Sequence, residues 1–341
     1  MKVAFIIYPE VIVSNQSNGI RSQAFTWGDA LKKNNIEVEY INNWNNYNWK
    51  DFDIIHFFCG GEWIYNLAKR LKKINNNIIL SPIIDPECKY NYIKSNIKYQ
   101  LSSITRNKIN FNDNVYTTHK TLSIFKKICT RSNFEKEFIH QVYHIAETKL
   151  EIVPLSYSPF IEKETIDLSK KEKFCLHISS IFHKRKNVLS LIEAAKRYKF
   201  QLILAGNKGT DLQFEPLKKA ISNSSNIQVL GYISEQEKIN LYKKAKVFAL
   251  PSIQEGVGIV ALDAACLGCE IAITNINGPK EYYNNMCVET NPYDIDSIGQ
   301  GIVNLLDDKI KFQPALKNFV IKEYSMQNTV DKLLKIYNSI L

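Results

Sequence analysis

From Phe174 to Leu306 the chain alternates between short β-rich runs and stretches of helical period. Strands are predicted over Phe174–Ser179, Gln201–Ala205, Ile227–Leu230, Val247–Leu250, Ile271–Thr274 and around Cys287–Glu289. Helices are predicted over Val188–Tyr198, Leu212–Ile221, Glu235–Ala245, Gly258–Leu267 and Ile295–Leu306. Strands alternating with helices at this spacing run parallel, because a parallel pair needs a crossover, and the crossover helices cover both faces of the sheet. The first half follows the same logic less regularly. Its predicted strands are Val3–Ile7, Glu37–Ile41, Ile54–Phe58, Ile78–Leu80, Ile128–Thr130 and Ile152–Val153, with helices at Arg21–Asn34, Trp63–Lys73 and Phe134–Ile145. The expected class is therefore α/β, with two doubly wound, Rossmann-like parallel sheets.

At 341 residues the chain suits two domains of about 150 residues each. Pro154, Pro159 and the charged stretch Glu162–Lys173 look like the connection between them. The expected division is residues 1–160, residues 161–325, and a last helical segment, 326–341, whose Val330, Leu333, Leu334 and Tyr337 form one apolar stripe. No apolar window reaches the roughly 18 residues of a membrane span; the nearest, Val257 to Cys269, is interrupted by Asp263. The N-terminus reads as a first strand and not as a signal peptide. Seven cysteines, an odd number scattered over a long chain, fit a reducing cytoplasm. Cys266 and Cys269 form the one close pair, with neither a second pair nor a histidine at zinc-ligand spacing, so no metal is expected.

Charge is unevenly placed. Residues 1–150 carry 20 Lys+Arg against 13 Asp+Glu, and residues 151–341 carry 24 against 21. Between Cys88 and Arg131 nine basic residues face only Asp113, a stripe suited to an anionic membrane surface or to a solvated face. No nucleic-acid recognition motif accompanies it, and no nucleic-acid partner is expected.

The chemistry concentrates in Ala249-Leu-Pro-Ser-Ile-Gln-Glu255-Gly-Val-Gly258-Ile259-Val-Ala-Leu-Asp263. A strand ends at Leu250, a loop carries Glu255, and two glycines let the backbone approach a ligand before a helix begins. The helix tip offers N–H groups and partial positive charge to a phosphate. Asp263 lies one turn on, where a carboxylate can accept hydrogen bonds from a ribose diol, and Glu255 points past the phosphates. Upstream, His183-Lys-Arg185-Lys186-Asn follows a strand and opens a helix, which would place cations beside a diphosphate.

Residues 174–306 resemble the donor-binding domain of glycosyltransferase family 4, of the GT-B fold. The resemblance is carried by Arg185-Lys186-Asn187, Leu202-Ile-Leu-Ala-Gly206, Asn226-Ile-Gln-Val-Leu-Gly231-Tyr-Ile233, Pro251-Ser252…Glu255-Gly-Val-Gly258 and Asn277-Gly278-Pro279-Lys-Glu281. The first half resembles the acceptor domain only through Asn18-Gly19 and Val153-Pro154. The resemblance implies two domains facing a cleft, a last helix crossing back to the first domain, and retaining transfer of a sugar from a nucleoside diphosphate sugar to a glycan or lipid-linked acceptor. It implies a catalytic set of Glu255 and Lys186. Donor binding would fall to Gly19, Arg185, Lys186, Gly206, Glu255, the backbone at Ile233, the N–H groups of Gly258 and Ile259, and Asp263 at the ribose. No cofactor is implied beyond the donor itself.

Asp263 stands where the family has a second glutamate, and Ser180 where it has an arginine. Glu270 replaces a frequent proline. In the first half, Asp85 and His56, both at predicted strand ends, are the candidates near the transferred sugar, with Asp85 placed in the catalytic set; His119 and His183 read as solvated. A nicotinamide dehydrogenase lacks its G-x-G-x-x-G after the first strand, where Tyr8-Pro9-Glu10 stands. Asp51-Phe-Asp53 and Asp294-Ile-Asp296 look incidental as metal motifs. The expected protein is a metal-independent cytoplasmic transferase of cell-surface polysaccharide synthesis, peripheral at the inner face of the membrane. The alternative is a non-catalytic nucleotide-sugar binding partner of a transferase complex.

Overall fold

The computed structural model describes residues 1–7, 19–85, 92–105 and 114–341, apart from the side chains of Glu62 and Asn277. Asn18, Cys88, Lys89, Arg106, Lys108 and Asp113, all used in the sequence reading, lie outside the described residues. The chain divides into two compact units, one of Met1–Leu155 with Met326–Leu341, the other of Ser156–Ser325.

The first unit contains β1 (Lys2–Ile7), α1 (Gly19–Lys33), β2 (Glu37–Tyr40), β3 (Ile54–Phe58), α2 (Tyr65–Lys72) and β4 (Ile78–Ser81). It continues through α3 (Tyr92–Ile104), α4 (Val115–Ile124), β5 (Lys127–Thr130), α5 (Asn133–Tyr143) and β6 (Leu150–Ile152). The strands form one parallel sheet in the order β2-β1-β3-β4-β5-β6. β3 and β4 are buried along their whole length, as strands covered on both faces must be. Ile55 and Phe57 face a core with Ile64, Ala68, Leu71, Leu122 and Phe125.

The opposite face of β3 carries His56, stacked on Phe58 at 4.5 Å and edge-on to Phe5 at 5.6 Å. Its Nδ1 lies 2.7 Å from the Tyr337 hydroxyl and its Nε2 2.9 Å from the Ser81 hydroxyl. Burial drives its pKa down to about 3, so the ring is neutral and both nitrogens are satisfied. This corrects the reading of His56 as a cleft-facing group: the strand's apolar surroundings place it in the core.

The second unit contains β7 (Glu172–Ile178), α6 (Val188–Tyr198), β8 (Leu202–Ala205), α7 (Asp211–Ile221), β9 (Ile227–Gly231) and α8 (Glu235–Lys244). It continues through β10 (Ala245–Leu250), α9 (Ile259–Cys266), β11 (Glu270–Thr274), α10 (Asn277–Lys280), β12 (Val288–Thr290), α11 (Ile295–Leu306) and α12 (Ala315–Glu323). Its parallel sheet runs β12-β11-β10-β7-β8-β9, three strands on either side of the β7/β10 boundary. The helix starts are set locally. Thr210 with Gln213 and Ser234 with Glu237 form capping boxes on α7 and α8, and Asp294 caps α11.

The boundary falls at Leu155/Ser156 and not after residue 160, and the charged stretch expected to be a connector packs into the second unit. Lys171 explains why: its ammonium donates to the carbonyls of Tyr242 at 2.7 Å, Ala245 at 2.9 Å and Leu267 at 2.7 Å. Glu270 accepts from the N–H groups of Phe312 at 3.1 Å and Gln313 at 3.0 Å, fixing the turn that leads to α12. Cys266 and Cys269 are buried free thiols, and Cys269 donates to the Tyr242 and Ala245 carbonyls.

The last helix, α13 (Met326–Asn338), returns to the first unit. Thr329 donates to the Pro154 carbonyl at 3.1 Å, and Lys126 donates to the Ile340 carbonyl at 2.6 Å. Tyr337 supplies the hydroxyl beside His56. Tyr337→Phe leaves that buried ring nitrogen without a partner and is expected to lower unfolding stability by about 1–3 kcal/mol. Urea denaturation should show the midpoint fall with the slope unchanged.

Candidate functional site

The β7/β10 boundary is the place where successive connections of the second sheet depart in opposite directions, and ligands of open parallel sheets bind beyond the strand ends there. Two segments meet at that point. After β7 comes a short turn, Lys184–Lys186, closed by Asn187 in the left-handed region with φ 58°. After β10 comes the loop from Pro251 to Gly258. Asn187 Nδ2 donates to the carbonyls of Pro251 at 3.1 Å and Pro292 at 2.6 Å, and Ile253 N donates to the Arg185 carbonyl at 2.8 Å.

Across this seam Lys186 Nζ pairs with Glu255 Oε2, both side chains being buried. Ser252 Oγ donates to the same carboxylate oxygen at 3.2 Å. Gly258 follows as the N-cap of α9, at φ 75°. A Cβ there would meet Leu250 Cδ2 at 2.7 Å, so conformation and space both call for glycine. The first intrahelical bond runs from Ala261 N–H to the Gly258 carbonyl at 2.8 Å, which leaves the Gly258 and Ile259 amides at the helix mouth. The site thus sets a buried cation and carboxylate beside a helix N-terminus, an arrangement that can receive an anion and polar hydroxyls together.

His177 lies under the seam. Its Nδ1 is 2.8 Å from the Ala249 carbonyl and its Nε2 2.7 Å from Ser179 Oγ. Burial, with the Lys186 charge adding to it, lowers its pKa to about 4 against the opposing pull of the carbonyl. A neutral ring there keeps a second positive charge away from Lys186. Gly206, at the end of β8 with φ 114°, passes so close to β7 that a Cβ would sit 1.9 Å from the Ser179 carbonyl oxygen.

Arg185, Lys186, Glu255, Gly258 and Ile259 therefore come together, with Gly206 at the end of the neighbouring strand. Arg185 is exposed, and Ile233 is half-buried between β9 and the Ser234 cap of α8. Asp263 stands differently from expectation. It is 1% exposed, and Ser158 donates to it twice, N–H to Oδ1 and Oγ to Oδ2, each at 2.7 Å. The carboxylate expected at a ribose instead anchors the start of the second unit, and burial pushes its pKa up to about 6.

Gly19 and Asp85 belong to the first unit. Gly19 opens α1, and a Cβ there would meet nothing within 4 Å. Asp85 Oδ1 accepts from Arg131 Nη2 at 2.9 Å; Arg131 also donates to the Ile84 carbonyl at 2.7 Å and, through Nε, to Glu135 at 2.9 Å. This candidate catalytic acid is thus part of an ion-pair network around a buried guanidinium. His119, read as solvated, is half-buried, its Nδ1 lying 2.6 Å from the Tyr143 carbonyl. Asp53 accepts from Lys2 N at 2.6 Å, and Asp296 from Arg197 at 2.8 Å, which gives both acid pairs structural partners. Sequence reasoning missed Asn187 and His177 as organisers of the site, although each is a polar residue at a strand or helix boundary. Ser158 gave no signal, since its partner lies 105 residues away.

Residues 160–337 match the family model described as glycosyl transferases group 1. Among curated relatives, the O-antigen chain mannosyltransferase B of Escherichia coli is 24% identical over 238 residues, covering 64% of this chain and 62% of the relative. The UDP-Gal:alpha-D-GlcNAc-diphosphoundecaprenol alpha-1,3-galactosyltransferase of Escherichia coli is 25% identical over 252 residues, covering 65% of this chain and 64% of the relative. The match thus spans less than two thirds of the length of either. A crystal structure of a glycosyltransferase from Rickettsia africae ESF-5 superposes with a TM-score of 0.72 at 19% identity, covering 99% of this chain and 98% of that one. The fold is of the GT-B class.

The Asp263 carboxyl titrates near 6 when folded against 3.8 ordinarily, so the folded state holds the proton more tightly. Its contribution to stability is full below about pH 3.8 and is lost as pH rises through 6, a loss of roughly 3 kcal/mol at neutrality. Asp263→Asn keeps an acceptor for Ser158 N–H and gives Ser158 Oγ a donor, with no buried charge. Its Tm is expected to exceed that of the parent at pH 7.5, with the gap narrowing at pH 5; a gap that ignores pH would contradict this account.

Proposed function

We propose, for a chain that belongs to the glycosyl transferases of group 1, that the protein transfers a sugar from a nucleoside diphosphate sugar to a glycan or lipid-linked acceptor, with retention at the anomeric carbon. The observation that carries the reading is the buried Lys186–Glu255 pair at the mouth of α9. In this pair the two charges neutralise each other. A diphosphate would compete for Lys186, releasing Glu255 to accept hydrogen bonds from the hydroxyls of the donor sugar.

The Gly258 and Ile259 amides would hold phosphate oxygens, with Arg185 adding charge from the exposed side. The Ile233 backbone would meet the base, and Gly206 would keep the strand ends close under the nucleotide. A ribose diol would reach Asp263 by taking the place of the Ser158 hydroxyl. In the first unit, Gly19 is proposed as a backbone contact to substrate, and Asp85 as the group that orients a sugar hydroxyl through a carboxylate held by Arg131.

In the reaction, the bond from the anomeric carbon to the diphosphate oxygen breaks while a bond to the acceptor hydroxyl oxygen forms on the same face. The acceptor proton passes to the departing diphosphate. Lys186 and the helix amides would stabilise the charge that develops on that leaving group, without a metal. The names of the relatives support a sugar polymer or a diphospholipid-linked glycan as acceptor, and hence a place at the cytoplasmic side of a membrane in cell-surface polysaccharide synthesis. Ser180 in place of an arginine, and Asp263 engaged by Ser158, favour one second reading, a nucleotide-sugar binding partner without activity of its own.

Glu255→Gln and Lys186→Ala are each expected to lower turnover by about a hundredfold or more with circular dichroism unchanged. Near-parental rates in both would defeat the assignment. Nucleotide-sugar binding with no transfer or donor hydrolysis by the parent protein would select the second reading. Screening UDP-, GDP- and ADP-sugars for a rise in Tm identifies the donor by mass action. Proton coupling at the new linkage reads its anomeric configuration, and activity lost to a chelator and restored by manganese would overturn the metal-free step.

A further inference from the structure

Helix α3 is folded with its apolar side outward. Its buried positions are Ser95, at 6% exposure, and Ser102, at 1%. Tyr99 holds it to the unit, its ring centroid 4.1 Å from that of His144, 5.2 Å from His119 and 6.1 Å from Tyr116. The outward positions carry Ile93 at 76%, Ile97 at 55%, Leu101 at 43% and Ile104 at 78% exposure. At 3.6 residues per turn and 1.5 Å per residue these four fall within about 80° of one another, a single aliphatic row about 17 Å long.

Charge is arranged around that row. Lys94 and Lys98 stand along one flank, Asn96 and Gln100 along the other, and no Asp or Glu occurs among the described residues from Tyr92 to Thr130. On α4, which packs beside α3, Lys120 adds a further cation over the rings of Tyr65 at 5.3 Å and Tyr116 at 5.7 Å. Lys126 and Lys127, part of the basic stripe in the sequence, are used elsewhere: Lys126 donates to Asn77 and the Ile340 carbonyl, and Lys127 to Glu151 and the Thr148 carbonyl. The surface that faces solvent is therefore narrower than the stripe and centred on α3.

We propose that α3 is an interfacial helix that seats on an anionic phospholipid bilayer, its aliphatic row entering the headgroup–acyl boundary and its lysines meeting lipid phosphates. A bilayer of this kind supplies hydrocarbon and negative charge at adjacent depths, which matches a row of Ile and Leu with lysines along its edge. A second copy of the chain is a poorer cover, because α3 against α3 brings Lys94 and Lys98 of one copy against the same lysines of the other, and the acid nearest the helix, Glu137 of α5, lies by Tyr92 at its first turn. Such docking is independent of glycosyl transfer: a chain inert as a transferase still binds, and an active one can fail to.

Cosedimentation of the full chain with vesicles tests this, comparing phosphatidylcholine alone with phosphatidylcholine mixed with phosphatidylglycerol. Binding to the mixed vesicles is expected to be about tenfold tighter or more, and to weaken with salt. The double variant Ile93→Ser/Ile97→Ser should lose about tenfold in partition. Lys94→Gln/Lys98→Gln should lose a similar factor on anionic vesicles only. Ile93 and Ile97 are exposed, so the isoleucine variant should keep the parental Tm, and Tm measured on both variants separates lost docking from lost folding. Equal binding to the two vesicle types, or full binding by the isoleucine variant, overturns the proposal. So does a parental dimer that Ile97→Ser dissolves while vesicle binding stays absent, since a second copy then covers the row.

Discussion

A lysine and a carboxylate withdrawn from water together tie the carboxyl ends of β7 and β10 into one piece. Lys186 comes from the turn after β7 and Glu255 from the loop after β10, so their pairing makes two segments 69 residues apart depend on each other. Removing either partner alone strands a charge in a buried place, which is far more costly than never having buried the pair. The bonds from Asn187 to Pro251 and from Ile253 to Arg185 set the distance that the pair requires. Topology comes first in this chain of causes. Because β7 and β10 are neighbours whose connections leave in opposite directions, two loop ends are brought side by side with nothing between them, and the pair forms there.

The first unit meets a similar topological need with neutral chemistry. His56 is the polar residue in the middle of β3, and it is tolerated because Tyr337 and Ser81 satisfy both ring nitrogens. Tyr337 is delivered by α13, so the final helix supplies packing and also the hydroxyl that allows a histidine in an apolar sheet. Asp85 tells the opposite story about charge. It sits at the rim of its unit in a network with Arg131 and Glu135, where one buried guanidinium serves a carboxylate on each side.

The second unit was legible almost element by element, since its strands and helices each carry a full apolar period; Val188–Tyr198 and Ile295–Leu306 agree to the residue. The Glu255 loop and the Lys186 turn were legible as well, because glycine spacing and strand ends are local signals. α3 and α4 were not predicted. α3 buries serines and exposes its aliphatics, so its apolar period marks no core, and α4 is rich in β-branched and polar residues such as Thr117, Thr118 and Thr121. α12 also escaped. The placement of Asp263 could not be read, because its partner Ser158 is distant in sequence and a shorter acid in the position of a glutamate looks merely conservative. Glu270 had the same difficulty: two backbone N–H groups more than 40 residues on decide its meaning, and nothing near it in the chain announces them.

The three carbonyls that hold Lys171 belong to the end of α8, the start of β10 and the residue just past α9. With its three protons committed in this way, the amine is shielded from acylating reagents by the same contacts that close that corner of the sheet. Its rate of labelling in native protein is then set by how often the corner opens and not by the reagent's intrinsic speed. A single lysine thereby serves as a chemical clock for local breathing of the second unit.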